Sequence, residues 1–199
     1  MTRLAIALAA WLVAACAAPD QPHRYFVLDG SAAAGGTVGT VATAPPREAT
    51  LLVAPVTAAG FYRSREIVYS RATGTRGYYQ FNSWTEPPAI AIGGALMSKL
   101  ERSHAFRAVA PTASGAEGAL LLRVHLDELY HDAATSPGTA RIALTAQLSD
   151  PRTRGLLDKR SFTASAPASS YDADGAVAGL RQALDQALDE LVRWVAATR

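Results

Sequence analysis

Residues 119 to 130 read ALLLRVHLDELY, and residues 139 to 149 read TARIALTAQLS. In the first stretch Leu120, Leu122, Val124 and Leu126 alternate with Arg123, His125 and Asp127. In the second, Ile142, Leu144, Ala146 and Leu148 repeat the pattern. A period of two sends successive side chains to opposite faces of a strand, so each stretch predicts a strand with one dry and one wet face. Residues 155 to 166 predict a third. Ser136-Pro137-Gly138 and Asp150-Pro151, followed by Gly155, supply the turns between them. Three strands in a row predict an antiparallel meander whose apolar face must be covered by another element.

That cover is expected at the C-terminus. Val177, Leu180, Leu184, Leu188, Leu191 and Val195 recur at three- and four-residue steps, the stripe of a long helix. Asp172 or Asp174 is placed to cap it, and Arg181–Asp185 and Asp189–Arg193 are spaced as ion pairs along it. A second helix is expected from Pro87-Pro88, because proline lacks the N–H that the first turn leaves unpaired. Ile92, Leu96 and Leu100 form its stripe, flanked by Ala89 and Met97. Gly93-Gly94 costs about 1 kcal/mol per glycine relative to alanine, which predicts close approach of another element there.

Shorter strands are predicted at residues 24 to 29 (RYFVLD), 51 to 56 (LLVAPV), 66 to 72, 78 to 83 and 106 to 109. Residues 73 to 77 (TGTRG) would join the third and fourth of these as a hairpin. On its second strand, Tyr79 and Phe81 share one expected face, and Tyr78 and Gln80 the other. Residues 30 to 50 are rich in Gly, Ala and Thr and predict a flexible loop. The sum is an α+β fold: a largely antiparallel sheet packed against two helices, the longer at the C-terminus.

The start of the chain predicts export. Arg3 precedes an uncharged apolar run at residues 4 to 15 (LAIALAAWLVAA), and the only cysteine follows. A helix over that run rises roughly 18 Å, short of the roughly 30 Å hydrocarbon core, so a cleaved signal fits better than a spanning helix. Val13-Ala14-Ala15-Cys16 resembles a bacterial lipobox, in which cleavage leaves an acylated cysteine as the first residue. On this reading residues 1 to 15 are the signal peptide, 16 to 23 a tether, and 24 to 199 a single domain. Ala17 in place of an aspartate points to the outer membrane, facing the periplasm.

Nothing in the sequence supports catalysis, and an enzyme is not expected. The four histidines, His23, His104, His125 and His131, show no metal-ligand spacing. His125 and His131 flank Asp127 and Glu128, which a solvated strand explains. No G-x-S-x-G or Walker motif is present, and no cofactor is expected. The 19 Lys and Arg stand against 17 Asp and Glu, giving no charge argument for a nucleic-acid partner. One cluster stands out: Arg63, Arg65, Arg71 and Arg76 lie among Tyr62, Tyr69, Tyr78 and Tyr79. Arginine and tyrosine are enriched at interfaces, so a partner or lipid-headgroup patch competes here with a merely solvated hairpin.

The stretches FYRSREIVYSR, GYYQFNSWTEPPA and ALMSKLERSHAFRAV lie between Phe61 and Val109. With Tyr25-Phe26-Val27-Leu28, Val53-Ala54-Pro55-Val56 and above all Trp84-Thr85-Glu86-Pro87-Pro88, they resemble the ABC-type transport auxiliary lipoprotein family, the PqiC-like group. The resemblance implies a lipid-anchored outer-membrane component of an intermembrane lipid transport system. Its implied partner is a mammalian-cell-entry (MCE) domain protein of an ABC transporter, and its implied action is docking, with a homo-oligomer around the end of that assembly. The candidate partner-binding residues are Tyr62, Arg63, Arg65, Tyr69, Tyr79 and Trp84. Two alternatives are a periplasmic lipoprotein that regulates a cell-envelope enzyme and a lipid-binding carrier. The carrier would require an apolar cavity of a few hundred Å³ between sheet and helices.

Overall fold

The computed structural model describes residues 21–30 and 47–198. The predicted signal peptide, Cys16 and residues 31–46 of the predicted loop lie outside the described residues. The elements in chain order are β1 (Arg24–Phe26), β2 (Arg47–Val53), β3 (Thr57–Ala58), β4 (Glu66–Ser70), β5 (Gly77–Trp84) and α1 (Pro88–Arg102). They continue with β6 (Phe106–Pro111), β7 (Leu120–Asp132), β8 (Thr139–Ser149), β9 (Leu156–Pro167) and α2 (Ala173–Ala197). The α+β prediction holds, with the longer helix C-terminal. The strand β2 begins at Arg47, four residues inside the span expected to be loop.

All nine strands of the described residues join one sheet, with β7 at its centre. On one edge β7 pairs antiparallel with β8, which pairs antiparallel with β9, each over eleven positions. These two long ladders make the sheet largely antiparallel by paired length. The other edge of β7 is shared by three short strands, all parallel to it. Leu51 to Val53 lie beside Leu120 to Leu122, Thr57 and Ala58 beside His125 and Leu126, and Tyr69 and Ser70 beside His131 and Asp132. The sheet therefore forks. Beside the start of β7 it ends in β6, and beside its end it continues through β4 and β5 to β1.

Within β7, Leu126 faces Leu144 and Glu128 faces Ala143, which leaves Asp127 unpaired. This bulge switches parity: even-numbered residues supply the dry face up to Leu126, and Leu129 and His131 supply it afterwards. The three-residue step from Leu126 to Leu129 is its trace in the sequence.

The dry face is covered by α2. Leu144, Ala146 and Leu148 from β8 and Leu180, Leu184, Leu188 and Leu191 from α2 are all fully buried. At Gly179 a Cβ would sit 2.9 Å from the Ala140 Cβ and 3.0 Å from the Pro167 carbonyl, so helix and strands meet there only because the residue is glycine. The expected close approach at Gly93-Gly94 is absent. A Cβ at Gly93 would meet only the Val56 Cγ2, at 3.7 Å, and one at Gly94 nothing within 4 Å. Pro88 opens α1 in its first turn, as expected, and Ile92, Leu96 and Leu100 are buried.

Asp172 is the cap of α2, accepting from the Gly175 N–H at 2.9 Å. The two ion pairs expected along α2 give way to pairs with other elements. Asp185 and Asp189 both take Lys99 of α1, whose side chain is largely buried between the helices. Arg181 reaches the Asp29 carboxylate at 3.1 Å and the Val27 carbonyl. Taking an ammonium largely out of water is costly unless opposite charge compensates it, and Lys99 finds two carboxylates on the facing helix. Arg24 forks onto Asp174 with two bonds of 2.6 Å, and Gly30 lies near Leu188. The contacts 24 to 174, 27 to 181 and 30 to 188 advance three residues of extended chain per seven of helix, about 10 Å in either geometry. The N-terminal segment thus runs alongside α2 and parallel to it.

Candidate docking site

The hairpin of β4 and β5, with the short 3-10 turn Gly60–Tyr62 before it, holds most of the sequence-predicted site residues. Arg76 anchors it to the sheet. Its Nε donates to the Tyr62 hydroxyl at 3.2 Å, its Nη2 to Glu128 at 3.2 Å, and its guanidinium lies 3.8 Å from the centre of the Tyr130 ring. Burial works against the charge, but Tyr62 and Glu128 outweigh it and hold the pKa above its ordinary value. Tyr62 is only 6% exposed. It braces the hairpin from beneath.

Trp84 is deeper still, 1% exposed at the end of β5. Of the residues expected to bind a partner, Trp84 and Tyr62 are thus packed into the core and do not present their rings at the surface, and the W-x-E-P-P block marks a strand-to-helix junction. Tyr79 also turns inward. Its hydroxyl lies 2.7 Å from Nδ1 of the buried His131, whose Nε2 lies 2.9 Å from the Pro137 carbonyl. A carbonyl only accepts, so Nε2 carries the proton and Nδ1 accepts from Tyr79. Burial lowers the pKa of His131 and pushes Tyr79 up to about 12, so both are neutral at physiological pH. Tyr69 is half-buried against Tyr79, ring centres 5.1 Å apart, with the Arg71 guanidinium 5.0 Å from its own ring centre.

What remains outside is a different set. Phe61 and Tyr78 stack at 4.6 Å with their planes 13° apart, 38% and 41% exposed. Phe81 is also exposed. The expected alternation along β5 fails because its register shifts: Val68 faces Tyr78, while Glu66, only two residues away, faces Ser83. Phe81 is consequently parted from Tyr79. Arg63 and Arg65 follow Phe61 closely along the chain and are exposed, Arg63 steadied by its Nε donating to the Ala58 carbonyl at 3.1 Å. The signal for Phe61 lay in its place on the turn just before Tyr62, where one of two adjacent aromatics must face out.

Chemically the platform suits non-covalent recognition. Two apolar rings fixed against each other present area at little entropic cost, and two guanidinium groups close by in the chain offer charge-assisted hydrogen bonds. Among the described residues no three His, Cys, Asp or Glu side chains are grouped to hold a metal ion. His125 is engaged by the Thr57 hydroxyl at 2.7 Å.

The family model described as ABC-type transport auxiliary lipoprotein component matches residues 30–192. No curated protein matches the chain. Among solved structures, a Xanthomonas campestris protein of the DUF330 family is similar at 25% identity and a TM-score of 0.73, over 89% of this chain and 96% of that one. The crystal structure of an uncharacterized protein is similar at 16% identity and a TM-score of 0.66, over 88% and 99% of the two chains. A hypothetical protein of Chlamydia trachomatis is similar at 8% identity and a TM-score of 0.52, over 76% and 98%. The last two likenesses concern the fold alone.

Proposed function

The chain belongs to the ABC-type transport auxiliary lipoprotein family, and from that premise we propose that it docks onto an MCE-domain protein of an intermembrane lipid transport system. Membership makes it an auxiliary lipoprotein component of ABC-type transport, and the family is one of transport components rather than of enzymes. The proposal adds the anchor, the membrane and the partner. Residues 1 to 15 are removed as a signal, acyl chains on Cys16 hold residues 16 to 23 at the outer membrane, and residues 24 to 199 form one periplasmic domain. More than one acyl chain is needed for a stable hold, at about 0.8 kcal/mol per buried methylene. Copies of the domain assemble around the end of the MCE assembly.

The observation that carries docking is the exposed Phe61–Tyr78 stack, with the exposed Arg63 and Arg65 close to Phe61 in the chain. Carriage of a lipid inside the domain is disfavoured, because the interface between α2 and the meander is filled by fully buried leucines. A groove of about 490 Å³ beside β9 and the end of α2 is lined by Asp158, Arg160, Glu190 and Arg193, with Trp194. Such charged walls do not suit an acyl chain.

The test is affinity capture of the tagged, lipidated protein from gently solubilised membranes, with mass spectrometry of what accompanies it. An MCE-domain protein is expected. Replacing both Phe61 and Tyr78 by alanine should lower its recovery about tenfold or more, since central aromatic anchors are typically worth 2 kcal/mol or above. Capture of cell-wall enzymes alone would overturn the partner. Undiminished capture by the double variant and by Arg63→Glu with Arg65→Glu would overturn the surface.

A further inference from the structure

We infer that the outward face of β1, formed by His23, Tyr25 and Val27, rests in the headgroup zone of the phospholipid bilayer. The inference depends on the acylation of Cys16 proposed above. These three residues alternate along one face while Phe26 and Leu28 turn inward, Leu28 into the core. Tyr25 is 60% exposed and Val27 49%. The His23 and Tyr25 rings lie 4.9 Å apart, and His23 Nε2 is 2.9 Å from the Ser83 hydroxyl, so the face is ordered rather than frayed. It belongs to an edge strand, paired on one side only.

The chemistry of the strip matches the headgroup zone. Arg24 is paired with Asp174 and Arg181 with Asp29, so these two arginines are not free to bind an anion. An amphipathic ring beside a branched apolar side chain is what the interfacial layer favours.

Geometry puts the bilayer within reach. From Cys16 to His23 the chain can span at most about 25 Å. The Tyr171 hydroxyl donates to the Ala133 carbonyl, tying the start of α2 to the end of β7. Arg24 holds the entering chain to that same end of the helix. The turn of residues 150 to 155 lies at the opposite pole, separated by the eleven residues of β8, about 34 Å. A spacer of about 25 Å is too short to turn the domain over and set that far pole on the membrane. The strip next to the tether is therefore an apolar surface that the anchor can deliver.

Lipidation would block the only cysteine, so a cysteine introduced elsewhere becomes the single free thiol. Full-length lipidated Tyr25→Cys, Val27→Cys and Thr153→Cys would be labelled with pyrene and reconstituted in phosphatidylcholine vesicles carrying nitroxide-labelled lipid. Quenching at positions 25 and 27 should exceed that at 153 at least about twofold. Equal quenching in protein that floats with the vesicles overturns the contact. Pyrene excimer emission at 25 without lipid quenching assigns the strip to a second copy and also overturns it. Flotation unchanged by Cys16→Ser would instead overturn the acylation on which the inference depends, and so is distinguishable from failure of the contact itself.

Discussion

Replacing Trp84 by alanine separates a core tryptophan from a docking one. The indole is 1% exposed, its backbone N–H donates to the Arg65 carbonyl at 2.6 Å, and its strand neighbour is Phe26. A tryptophan buries roughly 200 Å², which at about 25 cal/mol per Å² bounds the loss near 5 kcal/mol. The unfolded chain already shields part of that area, so about 3–5 kcal/mol is expected, the usual range for Trp→Ala in a core. In a chain of this size each kcal/mol moves the melting point by about 2–4 °C, so Trp84→Ala should melt roughly 6–20 °C lower. Phe61→Ala, which removes a ring already 38% exposed, should stay within about 3 °C of the parent. Thermal melts followed by far-UV circular dichroism, with partner capture well below the lower midpoint, check both. A Trp84→Ala protein that melts with the parent yet no longer captures its partner would refute the core assignment and return Trp84 to the surface.

Two further predictions concern buried polar groups. Burial holds the folded pKa of His131 below its ordinary value. On acidification the unfolded chain therefore takes up that proton first, near pH 6.5, and stability falls as pH drops from there toward the folded pKa. Urea midpoints at pH 7.5 and 5.5 should differ in the parent and differ less in His131→Gln, which keeps a donor and an acceptor but cannot titrate; equal differences would refute the account. Lys99→Met leaves Asp185 and Asp189 without their shared cation between α1 and α2. It should cost about 1–3 kcal/mol, the lower end reflecting the exposed Asp189, and a double-mutant cycle with Asp185→Asn should show coupling of at least about 0.5 kcal/mol. Additive effects in that cycle would mean the bridge contributes nothing.

Docking without bond chemistry agrees with where the protein keeps its polar interior. His131, Tyr79 and Pro137 satisfy one another where β4, β5, β7 and the approach to α2 converge. Arg76 serves the hairpin in the same way, through Tyr62 and Glu128. These bonds stiffen the support of the Phe61–Tyr78 platform and leave the platform itself free to meet a partner.

The elements themselves were legible in the sequence because each depends on residues close along the chain. The period of two in β7 and β8, the stripe of α2, the proline start of α1 and the hairpin turn all follow from local backbone geometry, and the α+β class follows from them. Even the bulge at Asp127 left a trace in the step from Leu126 to Leu129. Which strand edges meet was decided elsewhere. The parallel seating of β2, β3 and β4 along one edge of β7 joins segments more than sixty residues apart in places, and no local pattern encodes a register between distant backbones. The same holds for the site. Tyr62, Tyr79 and Trp84 look like Phe61 and Tyr78 in sequence, all aromatic and all near arginines. A register shift in β5 and the space beneath the hairpin put the first three inside and the last two out. Lys99 likewise finds Asp185 and Asp189 only when α1 lies beside α2, because a charged side chain selects the partners that tertiary packing brings within its reach.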